Sequence, residues 1–196
     1  NGALLFTSQR EELSMEINKN KNEDLYISYV DAYGTWSKAY AMEEINSNYN
    51  EGSACLSADG KTLYFSRCDC PSCYGDCDLF SAILKDSIWT DIKNLGINVN
   101  SLSWDSHPSL SHTGDTLFFA SDRLGGFGLS DIYFTTKKDG SWTQSQNMGP
   151  IINTRNNEVS PFYHPRFGVL YFSSNGQLYN FGAFDIYKSY NIKENI

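Results

Sequence analysis

Three features that recur in step predict an all-β fold of the β-propeller class, with radially arrayed, four-stranded antiparallel blades. An apolar segment opened by aspartate appears as Asp24-Leu25-Tyr26, Asp78-Leu79-Phe80, Asp131-Ile132-Tyr133 and Asp185-Ile186-Tyr187, at intervals of 54, 53 and 54 residues. Another apolar run precedes it each time, at Leu4 to Ser8, Leu63 to Ser66, Leu117 to Ser121 and Leu170 to Ser174. Trp36, Trp89 and Trp142 then follow, spaced by 53 residues. The runs are short, aromatic and bounded by turn residues, and no helical period links them, so strands rather than a helical solenoid carry the repeat.

The stretch from Pro108 to Trp142 shows most of one unit. It has a turn at Thr113-Gly114-Asp115, a strand from Thr116 to Ala120, a Gly-rich loop from Gly125 to Gly128, a strand from Ile132 to Thr136 and a turn from Lys138 to Gly140. Blade one, about residues 1–52, begins at its second strand, carries a polar insertion from Glu11 to Glu23, and is completed by Asp24 to Val30 and the Trp36 segment. Blades two and three, about 53–106 and 107–159, contain all four strands. Blade four, about 160–196, holds both apolar runs without a tryptophan strand, so fourteen strands in about 3.5 to 4 blades are expected. The strand missing from blade one is inner and the one missing from blade four is outer. Neither can replace the other, and an unclosed array leaves strand edges and an apolar face bare. The chain therefore reads as an excerpt of a larger propeller of about six blades, with a four-bladed ring as the alternative.

With 196 residues, 40% of them hydrophobic, and 12 Phe, 13 Tyr and 4 Trp, the chain can fill a core and favours strands. A formal charge of −8 without any Lys/Arg cluster argues against a nucleic-acid surface. No apolar run approaches the roughly 18 residues of a membrane helix, and the first ten residues lack a leader layout. The chain starts without Met and reads as processed or excerpted.

Four of the five cysteines crowd into Cys68-Asp69-Cys70-Pro71-Ser72-Cys73-Tyr74-Gly75-Asp76-Cys77. Two nested disulfides, Cys68 with Cys77 and Cys70 with Cys73, are the favoured reading, because the outer pair flanks a loop between antiparallel strands. A tetrahedral zinc site is the sharper alternative, though structural zinc usually draws on two separated knuckles rather than one hairpin tip. Free thiols are the third possibility. Cys55, between Ala54 and Leu56, reads as a small core residue.

Several polar residues also repeat. Glu51, Asp105 and Glu158 stand at the entry to the innermost strands, where symmetry can gather them around a channel mouth. There they could bind Ca²⁺ or a cationic peptide group, or each could cap its own turn. His107 joins them as a candidate binding residue, because Asp105, His107 and Ser109 alternate along one strand. His112 and His164 recur nearby, with satisfied polar histidines as the ordinary reading. Asp24, Asp78, Asp131 and Asp185 occur in every unit, which points to hydrogen bonds with a neighbouring loop rather than to four active sites. Arg10, Arg67 and Arg123 invite comparison with an arginine triad for a substrate carboxylate, against the plainer reading of ion pairs. No H-E-x-x-H or G-x-S-x-G motif is present. No catalytic residue and no metal ligand set is assigned.

The segments SADGKTLYFS, SHTGDTLFFASDRLGGFGLSDIY and NNEVSPFYHPRFGVLYFSSNG with FGAFDIY resemble the TolB-type, WD-repeat-like propeller repeat, over nearly the whole chain. They are especially similar to the version in envelope proteins that also carry an OmpA-like peptidoglycan-binding domain. The resemblance implies a non-catalytic protein-binding or scaffold module of the bacterial envelope, in the periplasm or at the cell surface. Its partners would be envelope proteins, in peptidoglycan-associated or type IX secretion complexes. The competing class is a glycan-binding or sialidase-like glycan-hydrolysing propeller, which requires paired carboxylates roughly 5 to 10 Å apart beside convergent arginines.

Overall fold

The computed structural model describes residues 2–9 and 22–190. These form fifteen strands in four antiparallel sheets, with no helix among the described residues. The first sheet joins β1 (Ala3–Ser8), β2 (Asp24–Tyr29) and β3 (Tyr40–Ala41). The second runs β4 (Asn50–Leu56), β5 (Thr62–Cys68), β6 (Cys77–Lys85) and β7 (Ile88–Asn94). The third orders β8 (Asp105–Leu110), β9 (Thr116–Ser121) and β10 (Asp131–Lys138), with β11 (Ser141–Trp142) and β12 (Gln146–Asn147) both on the outer edge of β10. The fourth holds β13 (Glu158–His164), β14 (Val169–Ser174) and β15 (Asp185–Tyr190). Among the described residues no strand of the first sheet touches the fourth, so the sheets form an open arc of propeller blades.

One strand more is present than the sequence suggests, because the outer strand of the third sheet is split. The Thr143 hydroxyl takes the place of a ladder carbonyl: it accepts from Thr136 N at 3.3 Å, while the Thr135 hydroxyl donates to the Thr143 carbonyl at 2.6 Å. Ser37 repeats the device in the first sheet, accepting from Tyr29 N at 3.0 Å. Trp36 there makes only an isolated bridge to Val30, and Tyr40–Ala41 forms the strand. A hydroxyl competing for backbone donors interrupts a ladder in this way.

Side chains on a strand alternate between faces, so each blade feeds two cores. Leu63 and Phe65 of β5 and Phe80 of β6 face the first blade, packing with Leu25, Met42 and Ile45. Tyr64 and Leu79, from the same two strands, face the third blade and meet Leu117, Phe119 and Tyr133. Ala120 and Ile132 in turn meet Phe172 of the fourth blade. Within every blade the aromatic pair across the middle strands stacks: Phe6 on Tyr26, Phe65 on Phe80, Phe119 on Tyr133 and Phe172 on Tyr187, with centroids 5.9 to 6.1 Å apart. Leu25, Leu79 and Ile132 are fully buried, whereas their equivalent Ile186 is 78% exposed, since no described blade lies beyond it.

The three inner strands share a bulge that the apolar pattern does not announce. Register slips between Gly52 and Cys55, Ser106 and Ser109, and Val159 and Phe162. In each slip one non-glycine residue adopts positive φ: Ser53 (44°), His107 (56°) and Ser160 (51°). A bulge re-aims the strand and its side chains.

Blades also meet backbone to backbone. Cys77 bridges Trp104, and Ser130 bridges Asn157, each in parallel. A Cβ on Gly128 would collide with the carbonyls of Thr154 and Asn156 in the next blade, whereas one on the equivalent Gly182 meets nothing. Gly128→Ala is therefore expected to lower the unfolding free energy in urea by about 1–3 kcal/mol. Gly182→Ala should change it by less than about 0.5 kcal/mol. Equal effects would contradict this account of the junction.

Candidate functional site

The repeated polar residues converge on one end of the arc, where each inner strand begins. Glu51, Asp105 and Glu158 are all fully buried there. One oxygen of Glu51 accepts from Ser47 N, while the other accepts from the Ser47 hydroxyl and, at 2.6 Å, from Arg67 Nε. Asp105 takes Ser101 N, the Ser101 hydroxyl and, at 2.5 Å, an Arg123 guanidinium nitrogen. Glu158 takes Thr154 N, the Thr154 hydroxyl and the Ser174 hydroxyl. Of the two readings open to these acids, the hydrogen bonds match the one in which each caps its own turn. A carboxylate buried this deeply must be matched by donors from its surroundings, and these are matched within their own blade and turn.

The same locks use up the arginines. Beyond its acid, Arg67 donates to the Ile45 carbonyl at 2.8 Å and lies over the Phe65 and Phe80 rings. Arg123 donates to the Val99 carbonyl at 2.7 Å and lies over Phe119 and Tyr133. In blade four Gln177 makes the corresponding bond, to the Ile152 carbonyl at 2.8 Å, and Ser174 replaces the cation on the acid. A lock that survives without its guanidinium is structural. Arg67 and Arg123 do not converge on a shared substrate position, and Arg10 lies outside the described residues.

A second set of residues repeats in the sequence, at Ile45-Asn46, Val99-Asn100 and Ile152-Asn153, without announcing a mechanism. Asn46, Asn100 and Asn153 each clamp the backbone of one residue in the third strand of the same blade. Their side-chain oxygens accept from Leu25 N, Leu79 N and Ile132 N, and their amide nitrogens donate to the carbonyls of the same residues, at 2.8 to 3.0 Å. The clamp and the lock are adjacent in sequence as Asn-Ser/Thr-x-x-x-Asp/Glu at 46–51, 100–105 and 153–158. The hydroxyl residue directly after the asparagine was the signal that could have identified it.

The aspartates that open the third strands do hold their loops. Asp78 accepts from Tyr74 N, Gly75 N and the Asn94 amide, and burial pushes its carboxyl up against the pull of those donors. Asp131 accepts from Phe127 N, Gly128 N and the Asn147 amide, and Asp185 from Phe181 N. Asp24 opens β2 in the same position.

The cysteine loop contains both disulfides, Cys68–Cys77 across the paired strands and Cys70–Cys73 nested within. They staple a connection that blade three closes with glycines. Cys55 is half-buried beside the second core, and burial pushes its thiol up to about 12.

On the inner side, the bulged strands line a groove of about 690 Å³. Its wall includes Cys55, His107, Ser109, His112, Phe162 and Tyr163, and no lining residue is acidic, lysine or arginine. The bulge separates the alternating trio: Asp105 is in its lock, while His107 and Ser109 line the groove. His107 Nδ1 accepts from Ser160 N of the next blade at 3.4 Å, its ring meets Trp104 edge-on, and burial holds its pKa below the ordinary histidine value. His112 is exposed. His164 sits between the Phe162 and Phe167 rings.

No family model and no curated protein matches this chain. Among solved structures it is similar to TolB from Acinetobacter baumannii, at 15% identity and TM-score 0.59, covering 95% of this chain and 38% of that one. It is also similar to an α-L-arabinofuranosidase from Lactobacillus brevis, at 12% identity and TM-score 0.62, covering 97% and 70%. A thermostable family-43 glycoside hydrolase matches at 12% identity and TM-score 0.50, covering 86% and 68%. The chain thus spans well under half of the TolB structure. At these identities the likeness is one of fold, a propeller, and that fold hosts both binding proteins and enzymes.

Two measurements test the site. Arg123→Ala leaves Asp105 buried without its cation and is expected to cost about 3–5 kcal/mol in denaturant unfolding, with a partial recovery when Asp105→Asn is added. A loss below about 1 kcal/mol would mean that water reaches the carboxylate. Because the His107 pKa is lower folded than unfolded, its contribution is complete above the unfolded value of about 6.5 and is lost as pH falls from there through the lower folded value. His107→Asn tolerates the positive φ and should flatten stability against pH in that window; an unchanged slope would assign the dependence elsewhere.

Proposed function

We propose that this chain is a non-catalytic, protein-binding propeller module of the bacterial cell envelope, in the periplasm or at the cell surface. One observation carries the reading: the repeated acids, with Arg67 and Arg123, are consumed in buried locks, which leaves an inner groove walled by hydroxyl, aromatic, proline and histidine side chains without a carboxylate. Glycoside hydrolysis requires two carboxylates roughly 5 to 10 Å apart across the scissile bond, and the groove wall supplies neither. Two disulfides support an oxidising compartment. No described helix is long and apolar enough to cross a membrane. The fold likeness to TolB accords with a binding role at the envelope. Attachment to peptidoglycan or to a secretion complex is the finer form of the proposal.

The test combines a turnover assay on the purified full-length protein with crosslinking of the same protein in intact cells. Release of chromophore from a panel of aryl glycosides, α-L-arabinofuranosides and sialosides among them, is expected to stay at the uncatalysed rate. Photo-crosslinkers at Phe162 and Leu124, with Lys85 as control, should yield discrete protein adducts in intact cells at one or both of the first two positions. Turnover abolished by a substitution in the groove would overturn the reading.

A further inference from the structure

Strands that alternate in direction place their loops alternately at two ends. The loops between second and third strands therefore share an end with the connections that lead into the next blade's inner strand. The structure interlocks these loops around the arc. Gly75 lies against Leu102 and Ser103, Trp104 N donates to Asp122 at 2.8 Å, Gly128 lies against Thr154 and Asn156, and Leu129 N donates to the Asn156 carbonyl at 2.8 Å. The result is one continuous rim rather than separate loops.

That rim is apolar where the fold gives it no reason to be. Tyr74 is 48% exposed, Leu102 79%, Leu124 99%, Phe127 49%, Leu129 65% and Ile151 78%. All six lie in blades two and three, at junctions whose neighbouring blade is present, so none is waiting for a missing blade. Scattered surface leucines are ordinary, but six exposed apolar side chains carried on loops interlocked around one end mark an interaction surface. Charge separates this end from the other. Glu43, Glu44, Asp69, Asp76 and Asp122 are exposed in these loops, and Arg155 is their one exposed cation among the described residues. The turns at the opposite end carry exposed Lys61, Lys85, Lys137, Lys138 and Arg166 beside exposed Asp31, Asp59, Asp86, Asp115 and Asp139, so the two signs balance there, with Ile88 and Phe167 among them.

We propose that this loop rim docks a protein segment in which apolar side chains are interspersed with Lys or Arg. Apolar contact supplies the area and the acidic flank selects the sign of the partner, steering it and excluding acidic competitors. An anionic lipid surface is the weaker fit, since it recruits basic patches and this rim is acidic. The inference rests on the binding reading above and adds the face and the chemistry of the partner.

The probes are a fluorescein-labelled Leu/Lys peptide and its Leu/Glu counterpart of equal length, titrated by anisotropy against the full-length protein at low salt. The Leu/Lys peptide is expected to bind at least about tenfold more tightly. Leu102→Ser with Leu124→Ser should weaken it about tenfold, with the melting temperature unchanged because both side chains are exposed. Asp69→Asn with Asp76→Asn should reduce the discrimination between the peptides, and Lys61→Ser at the opposite end should change neither. Equal affinity for the two peptides, or indifference to the leucine pair, overturns the proposal. So does loop-dependent sedimentation with phosphatidylglycerol vesicles in place of peptide binding. Glycoside turnover, by contrast, would defeat the functional reading alone.

Discussion

A carboxylate taken wholly out of water must be given donors in the place where it lands, and this requirement organises the propeller arc. Three times, at the start of an inner strand, an acid is buried and satisfied by the backbone and hydroxyl of the residue four positions earlier. A partner from the second strand completes each lock: Arg67, Arg123 or Ser174. Because the asparagine before that hydroxyl clamps the third strand, one six-residue segment ties together the inner, second and third strands of successive blades. The apolar clusters between blades supply most of the burial, but they are non-directional. The locks and clamps set the angle at which one blade follows another.

This arrangement divides the labour between the two sides of the molecule. Residues that repeat are spent on structure, and the parts free to recognise something are those in which the blades differ: the disulfide-stapled loop of blade two, the leucines of blade three, and the proline- and aromatic-rich inner strand of blade four. Recognition can vary there without disturbing the register of the sheets, as is general for loops held on a rigid scaffold. The neutral groove and the apolar, acidic rim are both products of this division.

Much of the fold was legible from local chemistry. The Asp-Leu/Ile-Tyr/Phe segments are the third strands, the runs before them the second strands, and the two disulfides pair as the hairpin position of Cys68 and Cys77 suggests. The role of the opening aspartates followed from their presence in every unit. The candidate site was less legible. Glu51, Asp105 and Glu158 were found as equivalents, with a channel mouth and a capped turn both open to them; capping was legible as a possibility, but nothing in their spacing reveals that Arg67, Arg123 or Ser174 of the second strand completes each lock. Arg67 and Arg123 looked alike for a real reason, yet that reason was a buried lock rather than a substrate.

The amino-acid sequence by itself determined the period, the order of strands and turns, and which positions in each unit are equivalent, because those depend on side-chain pattern within a few neighbouring residues. Only the tertiary structure decided which polar groups are consumed and which face solvent. Ser53, His107 and Ser160 become bulges that meet the adjoining blade, and Leu102 and Leu124 are left exposed on a shared rim. Burial and exposure are properties of what packs alongside, and for this chain the neighbour in space comes from the next blade rather than from the next few residues.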